Sequence, residues 1–534
     1  MDTPSDLSFA HLMARQAAAA PDFPVLTFEG AGVRPDEVRT FAQLWDHGCR
    51  LAQVLLDLGV KPGDRFALLM ANHPEFIEAM VAASVVGAAV VPIDPRTKGD
   101  KLAFMLNNAQ CVGIFAADYV ASTGVQMRES CEHLQWVLGF ATDEGMLPLS
   151  DLPGVLDLHR VRPSKRPELP ILTTQGDAAL ELIYTSGTTG DPKGIIMTHK
   201  RYCDLAQVSA ALFAYRDSDV LYSGLSLTHA NAQIVTVSAA LGSRLRCILS
   251  RRFTKSRLWD IARKYKATTF TLLGGMTTAV YAEPPKCNDA DNPVRMVVSA
   301  GMPAAIWRDF ENRFGVEILE FYGAAEGGLT FNYPGKGPVG SIGKPPASLQ
   351  HRIVDEDDRD VPPGSPGELI FRAQTGEAYQ VVYHGQPEAS AKKCAGGWLR
   401  MGDVVHADVD GWLYFDFRKG GGIRRNGEFI QPAGLEKVIA ELPCVDDVFV
   451  YGLAQPHNAA GEKCVVAAVV PRADAAFSAS QVFDVCMQVL GPGQSPDFVQ
   501  VMDAIPKTAS EKPQERFLIE AFEGNPKSVH RRNV

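Results

Sequence analysis

The sequence predicts an α/β protein in which a large N-terminal domain of layered sheets is followed by a small, mobile α+β C-terminal domain. The 534 residues are too many for one compact core. Helix-like and strand-like segments alternate through the first half, which is typical of a largely parallel sheet. Gly420, Gly421 and Gly422 give the later backbone unusual freedom. We therefore expect domains at residues 1–418 and 419–534.

The elements of the N-terminal half follow from hydrophobic spacing and turn residues. The apolar stretch at 79–91 is shorter than the ~20 residues that a membrane span needs, so we interpret it as a buried helix followed by a strand. The sequence GVKPGD at 59–64 predicts a turn. The spacing of apolar residues predicts helices at 40–58 and 74–83, and strands at 65–70 and 89–93.

The later part of the chain has fewer but sharper signals. Residues 160–170 (RVRPSKRPELP) are polar and rich in proline, which predicts a surface connection. Beyond the glycine run, four segments predict a small α+β domain of about a hundred residues. They are the helix-like 436–442 and 481–490, and the strand-like 448–451 and 464–470.

Composition and charge limit the possible partners. The chain has 52 basic and 62 acidic residues, a net charge of −10, which argues against nucleic acid or an anionic membrane as partner. Its 10 cysteines form no C-x-x-C pair, and its first residues lack the pattern of a secretory signal. We expect a soluble, cytoplasmic protein without a membrane span, and allow for a homodimer.

The segment TSGTTGDPKG at 185–194 has the composition of a phosphate-binding loop between two short strands, 181–184 and 194–199. Glycines let the backbone N–H groups turn toward an anion, hydroxyls donate hydrogen bonds, and a lysine adds positive charge. It is not a Walker loop, because that pattern needs a second glycine five positions after Gly187, and Pro192 stands there. The alternative is a Ser/Thr/Gly-rich surface turn. The candidate phosphate ligands are Thr185, Ser186, Gly187, Thr188, Thr189 and Lys193.

Further motifs follow this loop in a fixed order, and together they resemble the adenylate-forming superfamily of acyl- and aryl-CoA synthetases, adenylation domains and luciferases. The H-x-N-A-Q segment is most similar to carnitine/crotonobetaine-CoA-ligase-like synthetases. The resemblance covers nearly the whole chain. Its motifs are LSLTHANAQ at 225–233, SAGMP at 299–303, FYGAAE at 321–326, GSIGKP at 340–345, GELIFR at 367–372, WLRMGD at 398–403, a hinge at 416–432, and PKTASEK at 506–512.

The resemblance implies a two-step reaction. A carboxylate attacks the α-phosphate of ATP and releases pyrophosphate; a thiol, usually that of coenzyme A, then displaces AMP. The first step joins two anions, so their charge must be neutralised where they meet. Lys512 is the candidate for that role and Lys507 a weaker one. Glu326 and Thr185 would help to hold Mg²⁺, which prefers oxygen ligands.

The remaining roles are carried over motif by motif. Asp403 would accept hydrogen bonds from the ribose hydroxyls, and Arg418 would reach the ribose or phosphates. Tyr322 would stack on adenine. His229 would lie near the acyl pocket and thiol tunnel as a gate or orienting group. The other nucleotide-side and thiol-side positions are Gly301, Gly323 and Ala325, and Gly427 with Glu428 beside the pantetheine arm.

Four residues depart from the family pattern. Ala325 lacks the hydroxyl of the usual threonine, and Gly421 replaces the usual charged hinge residue. Glu511 precedes Lys512 where glycine is common, and Pro513 follows it and stiffens the loop. None of these changes removes the group needed for adenylation, but they bear on the second step.

Three functions remain open from the sequence. The first is an ATP-dependent ligase that joins a small carboxylic acid to coenzyme A. The second keeps adenylation but uses nitrite, as a diazotase does, or an acceptor other than CoA. The third is a nucleotide-binding protein whose catalysis has decayed. The segments 230–233, 272–277 and 324–328 are rich in Gly, Ala and Thr, which leaves room for a ring or a branched acid.

Overall fold

The computed structural model describes residues 7–185, 192–419, 423–425, 428–430, 432–454, 463–491, 495–508 and 513–532. The chain forms two compact units. The first consists of Met1–Phe253, Tyr265–Thr271 and Val381–Lys392, and the second of Thr254–Lys264, Leu272–Gln380 and Lys393–Val534. The alternation of helices and strands confirms the predicted α/β class. The division into a fixed and a mobile domain concerns movement and stays a prediction.

The described residues form fifteen α-helices in chain order. They are α1 Phe9–Ala19, α2 Phe41–Asp57, α3 Pro74–Val86, α4 Gly99–Asn108, α5 Asp118–Gln126, α6 Leu158–Val161, α7 His199–Leu212, α8 Ser238–Ser243, α9 Leu258–Tyr265, α10 Gly274–Tyr281, α11 Trp307–Phe314, α12 Pro387–Lys393, α13 Pro432–Ala440, α14 Ala479–Leu490 and α15 Glu515–Gly524. A π-helical segment, Ala232–Val237, runs directly into α8.

The strands of the first unit come earliest in the chain. They are β1 Leu26–Phe28, β2 Glu37–Arg39, β3 Arg65–Leu69, β4 Ala89–Ile93, β5 Cys111–Ala117, β6 Trp136–Phe140, β7 Leu156–Asp157, β8 Ala179–Thr185, β9 Lys193–Thr198, β10 Val220–Ser223, β11 Arg246–Leu249 and β12 Thr269–Leu273, whose first three residues belong to this unit.

The strands of the second unit follow. They are β13 Met296–Ala300, β14 Glu317–Ala324, β15 Gly327–Asn332, β16 Leu349–Val354, β17 Gly367–Ala373, β18 Leu399–Ala407, β19 Leu413–Arg418, β20 Ile423–Arg425, β21 Glu428–Ile430, β22 Val445–Leu453, β23 Cys464–Pro471, β24 Phe498–Val501 and β25 Val529–Arg531.

The first unit is built on two largely parallel sheets. One has the order β7-β6-β5-β3-β4-β8-β9 and is parallel except for the antiparallel pair β8/β9. The other contains β2-β1-β11-β10-β12, where only β1/β2 is antiparallel. Nearly every residue of α3 is buried, which explains why its sequence is apolar on all sides rather than along one stripe.

The local signals read from the sequence hold in this unit. The helix α2 begins after Thr40, which forms a capping box with Gln43, and β4 has the predicted bounds. The strand predicted at 194–199 ends one residue early. Thr198 accepts a hydrogen bond from the backbone N–H of Arg201 and caps α7, so His199 begins a helix.

The second unit contains three larger sheets. The strands β13 and β14 are parallel, and β15 is antiparallel to β14. The order β16-β17-β18-β19 is antiparallel throughout. The sheet β22-β23-β24-β25 has two apolar faces, because Val465, Ala467 and Val469 pack with α13 and α14 while alternate residues pack with α15.

The predicted elements of the C-terminal region are present with small shifts. The helix expected at 436–442 begins at Pro432, a residue that favours the first helical position, and ends at Ala440. The two strands and the helix at 481–490 lie within the observed β22, β23 and α14. Among the described residues, no helix is both long enough and apolar enough to cross a membrane.

Candidate active site

The predicted phosphate loop joins two antiparallel strands of the first unit. Thr185 at the end of β8 pairs with Lys193 at the start of β9, and the Thr185 hydroxyl lies 3.5 Å from the Lys193 carbonyl oxygen. The pairing brings the ends of the loop together. Four candidate ligands, Ser186, Gly187, Thr188 and Thr189, lie outside the described residues.

A tyrosine that the sequence did not single out supports this hairpin. The Lys193 ammonium lies 5.3 Å from the centre of the Tyr383 ring, within the range of a cation–π contact. Tyr383 also forms an isolated antiparallel bridge with Ile195, and the His384 backbone N–H donates to the Gly194 carbonyl at 2.8 Å. Residues Val381–Lys392, which follow β17 along the chain, therefore belong to the first unit. The face of the Tyr383 ring within this segment contacts the Lys193 ammonium.

The segment that carries His229 is fixed by a buried asparagine. The Asn72 side-chain amide donates to the carbonyls of Leu225 and Ser250, each at 2.8 Å, and its oxygen accepts from the Leu227 backbone N–H at 2.8 Å. Burial lowers the pKa of His229 to about 4. The imidazole is therefore neutral at physiological pH, which suits an orienting group better than a general base.

Three predicted nucleotide-site residues come together in the second unit. The Tyr322 hydroxyl donates to Asp403 Oδ2 at 2.5 Å, and Arg418 Nε lies 3.6 Å from Asp403 Oδ1. Asp403 and Arg418 are direct cross-strand partners on β18 and β19. Gly402, with φ of 75°, turns the backbone immediately before Asp403. Burial and the neighbouring Asp403 carboxylate raise the pKa of Tyr322, so its hydroxyl stays a donor.

The FYGAAE motif forms the β14–β15 hairpin. Ala325 and Glu326 are the two residues between these strands, and the register shifts at Gly323 and Ala324. A Cβ at Gly323 would lie 2.8 Å from the backbone carbonyl oxygen of Gly328, so the bulge needs glycine. Glu326 therefore lies at the hairpin turn. Mg²⁺ in nucleotide sites is usually bound by one or two carboxylates together with substrate phosphates, so a single carboxylate here is compatible with the predicted role.

A lysine missed by the sequence reading lies near the same acidic groups. Lys393 Nζ donates to the Met401 carbonyl at 3.3 Å. Burial lowers the pKa of Lys393, and the nearby carboxylates of Glu326 and Asp403 oppose that shift. No motif contains Lys393, so only the fold reveals that this cation belongs with the acidic cluster.

The adenine-side motif is stabilised by a second missed residue, Glu320. Its two carboxyl oxygens accept from the backbone N–H groups of Gly301, at 2.6 Å, and Met302, at 3.0 Å. Gly301 has φ of 92°, which a residue with a side chain rarely adopts. Burial raises the pKa of Glu320 to about 8, although the two N–H donors act in the opposite direction.

The segment predicted to be the last catalytic loop is bracketed by a backbone bridge between Lys507 and Pro513. The Lys507 ammonium lies 2.5 Å from Asp447 Oδ2 and is largely buried, so it is already paired within its own unit. Lys507 therefore stays the weaker candidate for the catalytic lysine. Lys512 and Glu511 lie outside the described residues, as do Gly421 and Gly427; Glu428 begins β21.

Comparison with known proteins places these features in a family. Residues 13–377 match the model for an AMP-binding enzyme, and residues 434–512 match the model for an AMP-binding enzyme C-terminal domain. The crotonobetaine/carnitine–CoA ligase of Salmonella heidelberg strain SL476 is 29% identical over 482 residues, covering 89% of this chain and 91% of that protein.

Two solved structures have a similar fold. The anthranilate CoA ligase AuaEII, in complex with anthranoyl-AMP, has a TM-score of 0.83 at 22% identity, covering 98% of each chain. A benzoate CoA ligase from Burkholderia xenovorans LB400 has a TM-score of 0.77 at 22% identity, covering 96% of this chain and 99% of the other. These similarities do not favour the diazotase alternative. The chain therefore belongs to the AMP-binding enzyme family, the adenylate-forming enzymes that include the acyl- and aryl-CoA ligases.

Proposed function

We propose that the protein joins a small carboxylic acid to coenzyme A in two steps, by way of an acyl adenylate formed from ATP. The observation that carries this proposal is the contact of Tyr322 and Arg418 with the two oxygens of Asp403. A carboxylate held in one orientation and still partnered by a cation is suited to accept hydrogen bonds from the vicinal hydroxyls of a ribose.

In the first step the chain must reduce the repulsion between the carboxylate of the acid and the triphosphate. We assign this role to Lys512 at the α-phosphate and to Thr185, Lys193 and the glycine-rich loop at the other phosphates. Positioning and charge stabilisation then supply most of the rate, because the acid is already ionised and pyrophosphate is a good leaving group.

The cofactors fit the residues available. Glu326 and Thr185 are the candidate ligands for Mg²⁺, which would neutralise phosphate charge. Coenzyme A would supply the thiol for the second step, with Gly427 and Glu428 beside its pantetheine arm. His229, neutral at physiological pH, would orient the acid or the thiol rather than remove a proton.

We assign ATP and acid binding to residues 1–418, and the catalytic Lys512 to a mobile domain at 419–534. A swing of the second domain between the two half-reactions would let Lys512 act first and the region of Gly427 act second. A cytoplasmic location and a homodimer remain part of the proposal, and size-exclusion chromatography with light scattering tests the dimer.

A pyrophosphate-release screen tests the function. Aliphatic, aryl and carnitine-like acids, and nitrite, are each supplied with ATP and Mg²⁺, with and without coenzyme A. The proposal expects release with one class of acid, and a CoA thioester when coenzyme A is present. Release with nitrite alone, or no release with any compound, contradicts it.

A further inference from the structure

A buried hydrogen bond joins the strand that leads into the phosphate loop to the segment that carries His229. Gln233 Nε2 donates to Glu181 Oε2 at 2.8 Å and to the Leu227 carbonyl at 2.9 Å. The Gln233 backbone N–H also donates to the His229 carbonyl, at 3.5 Å. Glu181 and Gln233 are both fully buried in the first unit. One glutamine therefore connects β8 with both sides of the turn at His229.

If Glu181 is ionised, this contact leaves two buried oxygens without a hydrogen bond. Glu181 Oε1 and Gln233 Oε1 are both buried, and neither has a hydrogen-bond partner within the part of the chain that the structure describes. Both atoms are acceptors, so they cannot bond to each other without a hydrogen. A single proton on Glu181 Oε1 can donate to Gln233 Oε1 and satisfy both atoms at once.

The surroundings favour the protonated acid. Burial raises the pKa of Glu181 to about 7, against the effect of the Gln233 hydrogen bond, and no described cation pairs with it. Glu181 also interacts electrostatically with Tyr202 on α7, which has the same kind of interaction with Cys203 and Cys247. Burial raises the pKa of Tyr202 and of Cys247, so neither brings a charge to the pair at neutral pH.

The backbone at this point is unusual. Gln233 is the second residue of the π-helical segment Ala232–Val237, and such turns are rare and often lie at functional sites. Asn72 holds the Leu227 backbone N–H while Gln233 holds its carbonyl. The backbone at Leu227, just before His229, is thus held from two sides. Asn72, which follows β3, binds its N–H, and Gln233, which is bonded to Glu181 on β8, binds its carbonyl.

We propose that protonated Glu181 and Gln233 form a cyclic acid–amide pair, and that this positioning pair holds the segment bearing His229 in place against the strand that enters the phosphate loop. Its role presupposes the ligase reaction proposed above. When Glu181 loses its proton, two unprotonated oxygens face each other and the pair opens. The step that depends on His229 then slows as the pH rises.

Substitutions separate this pair from ordinary packing. Glu181→Gln provides an amide that can donate to Gln233 Oε1 and accept from Gln233 Nε2, but it cannot titrate. Glu181→Met and Gln233→Met remove the pair. Gln16→Met is the matched control, because Gln16 is another buried glutamine of the first unit whose amide donates to two carbonyls, those of Leu241 and Gly242.

The readout is the rate of CoA thioester formation from pH 6 to 9, with folding checked by circular dichroism. We expect wild-type activity to fall through the alkaline half of this range. Glu181→Gln should stay within about 3-fold of wild type at pH 6 and lose the alkaline decline. Both methionine variants should lose about 10-fold or more at pH 6, while Gln16→Met keeps the wild-type pH profile.

Infrared difference spectroscopy observes the proton without relying on activity. The wild type should show a protonated carboxylic-acid carbonyl band at pH 6 that is absent from Glu181→Gln. An unchanged alkaline decline in Glu181→Gln, or no such band in the wild type, overturns the proposal. If the wild type forms no thioester with any acid, the ligase function fails, and the infrared band still decides whether the pair is protonated.

Discussion

The Tyr322 hydroxyl donates a 2.5 Å hydrogen bond to Asp403 Oδ2, and so joins a strand of one sheet to a strand of another within the same compact unit. The two residues lie 81 positions apart, in two separate motifs. The bond fixes the orientation of the buried carboxylate and leaves Oδ1 on the side of Arg418. Two contacts thus orient the carboxylate that we propose as the ribose ligand.

Asp403→Asn should weaken ATP binding because an amide presents one acceptor oxygen where the carboxylate presents two. We expect the KM for ATP to rise about 10- to 100-fold, and Tyr322→Phe to raise it about 3- to 10-fold. Tyr414→Phe is the control, because Tyr414 also donates to an aspartate, Asp408, at 3.2 Å but outside the site. Equal KM values for all three variants would remove Asp403 from the site.

Lys512→Ala should reduce acid-dependent pyrophosphate release by orders of magnitude, because the ammonium neutralises charge where two anions meet. Lys507→Ala is the natural comparison, since Lys507 is paired with Asp447. That variant should alter stability more than adenylation. Pyrophosphate release under saturating ATP measures adenylation by each of the two variants. A larger loss from Lys507→Ala than from Lys512→Ala would show that the lysines had been assigned in the wrong order.

Glu320→Gln should destabilise the turn at Gly301, because the new amide NH₂ faces a backbone N–H in place of an accepting oxygen. We expect the free energy of unfolding to fall by about 1–3 kcal/mol. Chemical denaturation at pH 9, above the pKa of about 8 at which Glu320 ionises, measures this change. Glu317→Gln, at an exposed position on the same strand, should have no measurable effect. Equal stability of both variants would mean that Glu320 does not hold the turn.

His229 should make the stability of the protein depend on pH in the acid range. Its pKa of about 4 in the folded protein lies below the ordinary value of 6.5. Its contribution to the free energy of unfolding is therefore fully present above pH 6.5 and is lost as the pH falls toward 4. The expected loss is about 1.4 kcal/mol per pH unit across that window.

His229→Gln should reduce that slope without abolishing it, because burial also lowers the pKa of His199 to about 4. His133→Gln, at an exposed site in the same unit, should leave the slope unchanged. Denaturation curves at half-unit pH intervals provide the comparison. A slope that is the same in His229→Gln and the wild type would mean that His229 is not buried in its neutral form.

The elements that could be predicted from sequence are those determined by nearby residues. The helix α3 and the strand β4 follow from an apolar run punctuated by Pro74 and Gly87, and α2 from its Thr40 cap. The motifs likewise identified Tyr322 and Asp403, because each stands in a recognisable local pattern.

The residues that the sequence did not reveal are those whose roles depend on distant partners. Asn72 bonds to Leu225, 153 positions away, and Gln233 bonds to Glu181, 52 positions away. Lys393 lies in no motif, and only the fold brings it within electrostatic range of Glu326. The sequence offered one local sign of the Glu181–Gln233 pair. Glu181 stands within an otherwise apolar strand segment, and a buried acid usually needs a partner.

The most direct test of the central claim is ATP–pyrophosphate exchange in the absence of coenzyme A. Adenylate formation is reversible and releases pyrophosphate, so labelled pyrophosphate should enter ATP only when the right carboxylic acid is present. We predict acid-dependent exchange in the wild type and its loss in Lys512→Ala. Absence of exchange with every acid, together with formation of ADP and phosphate from ATP, would contradict an acyl-adenylate mechanism.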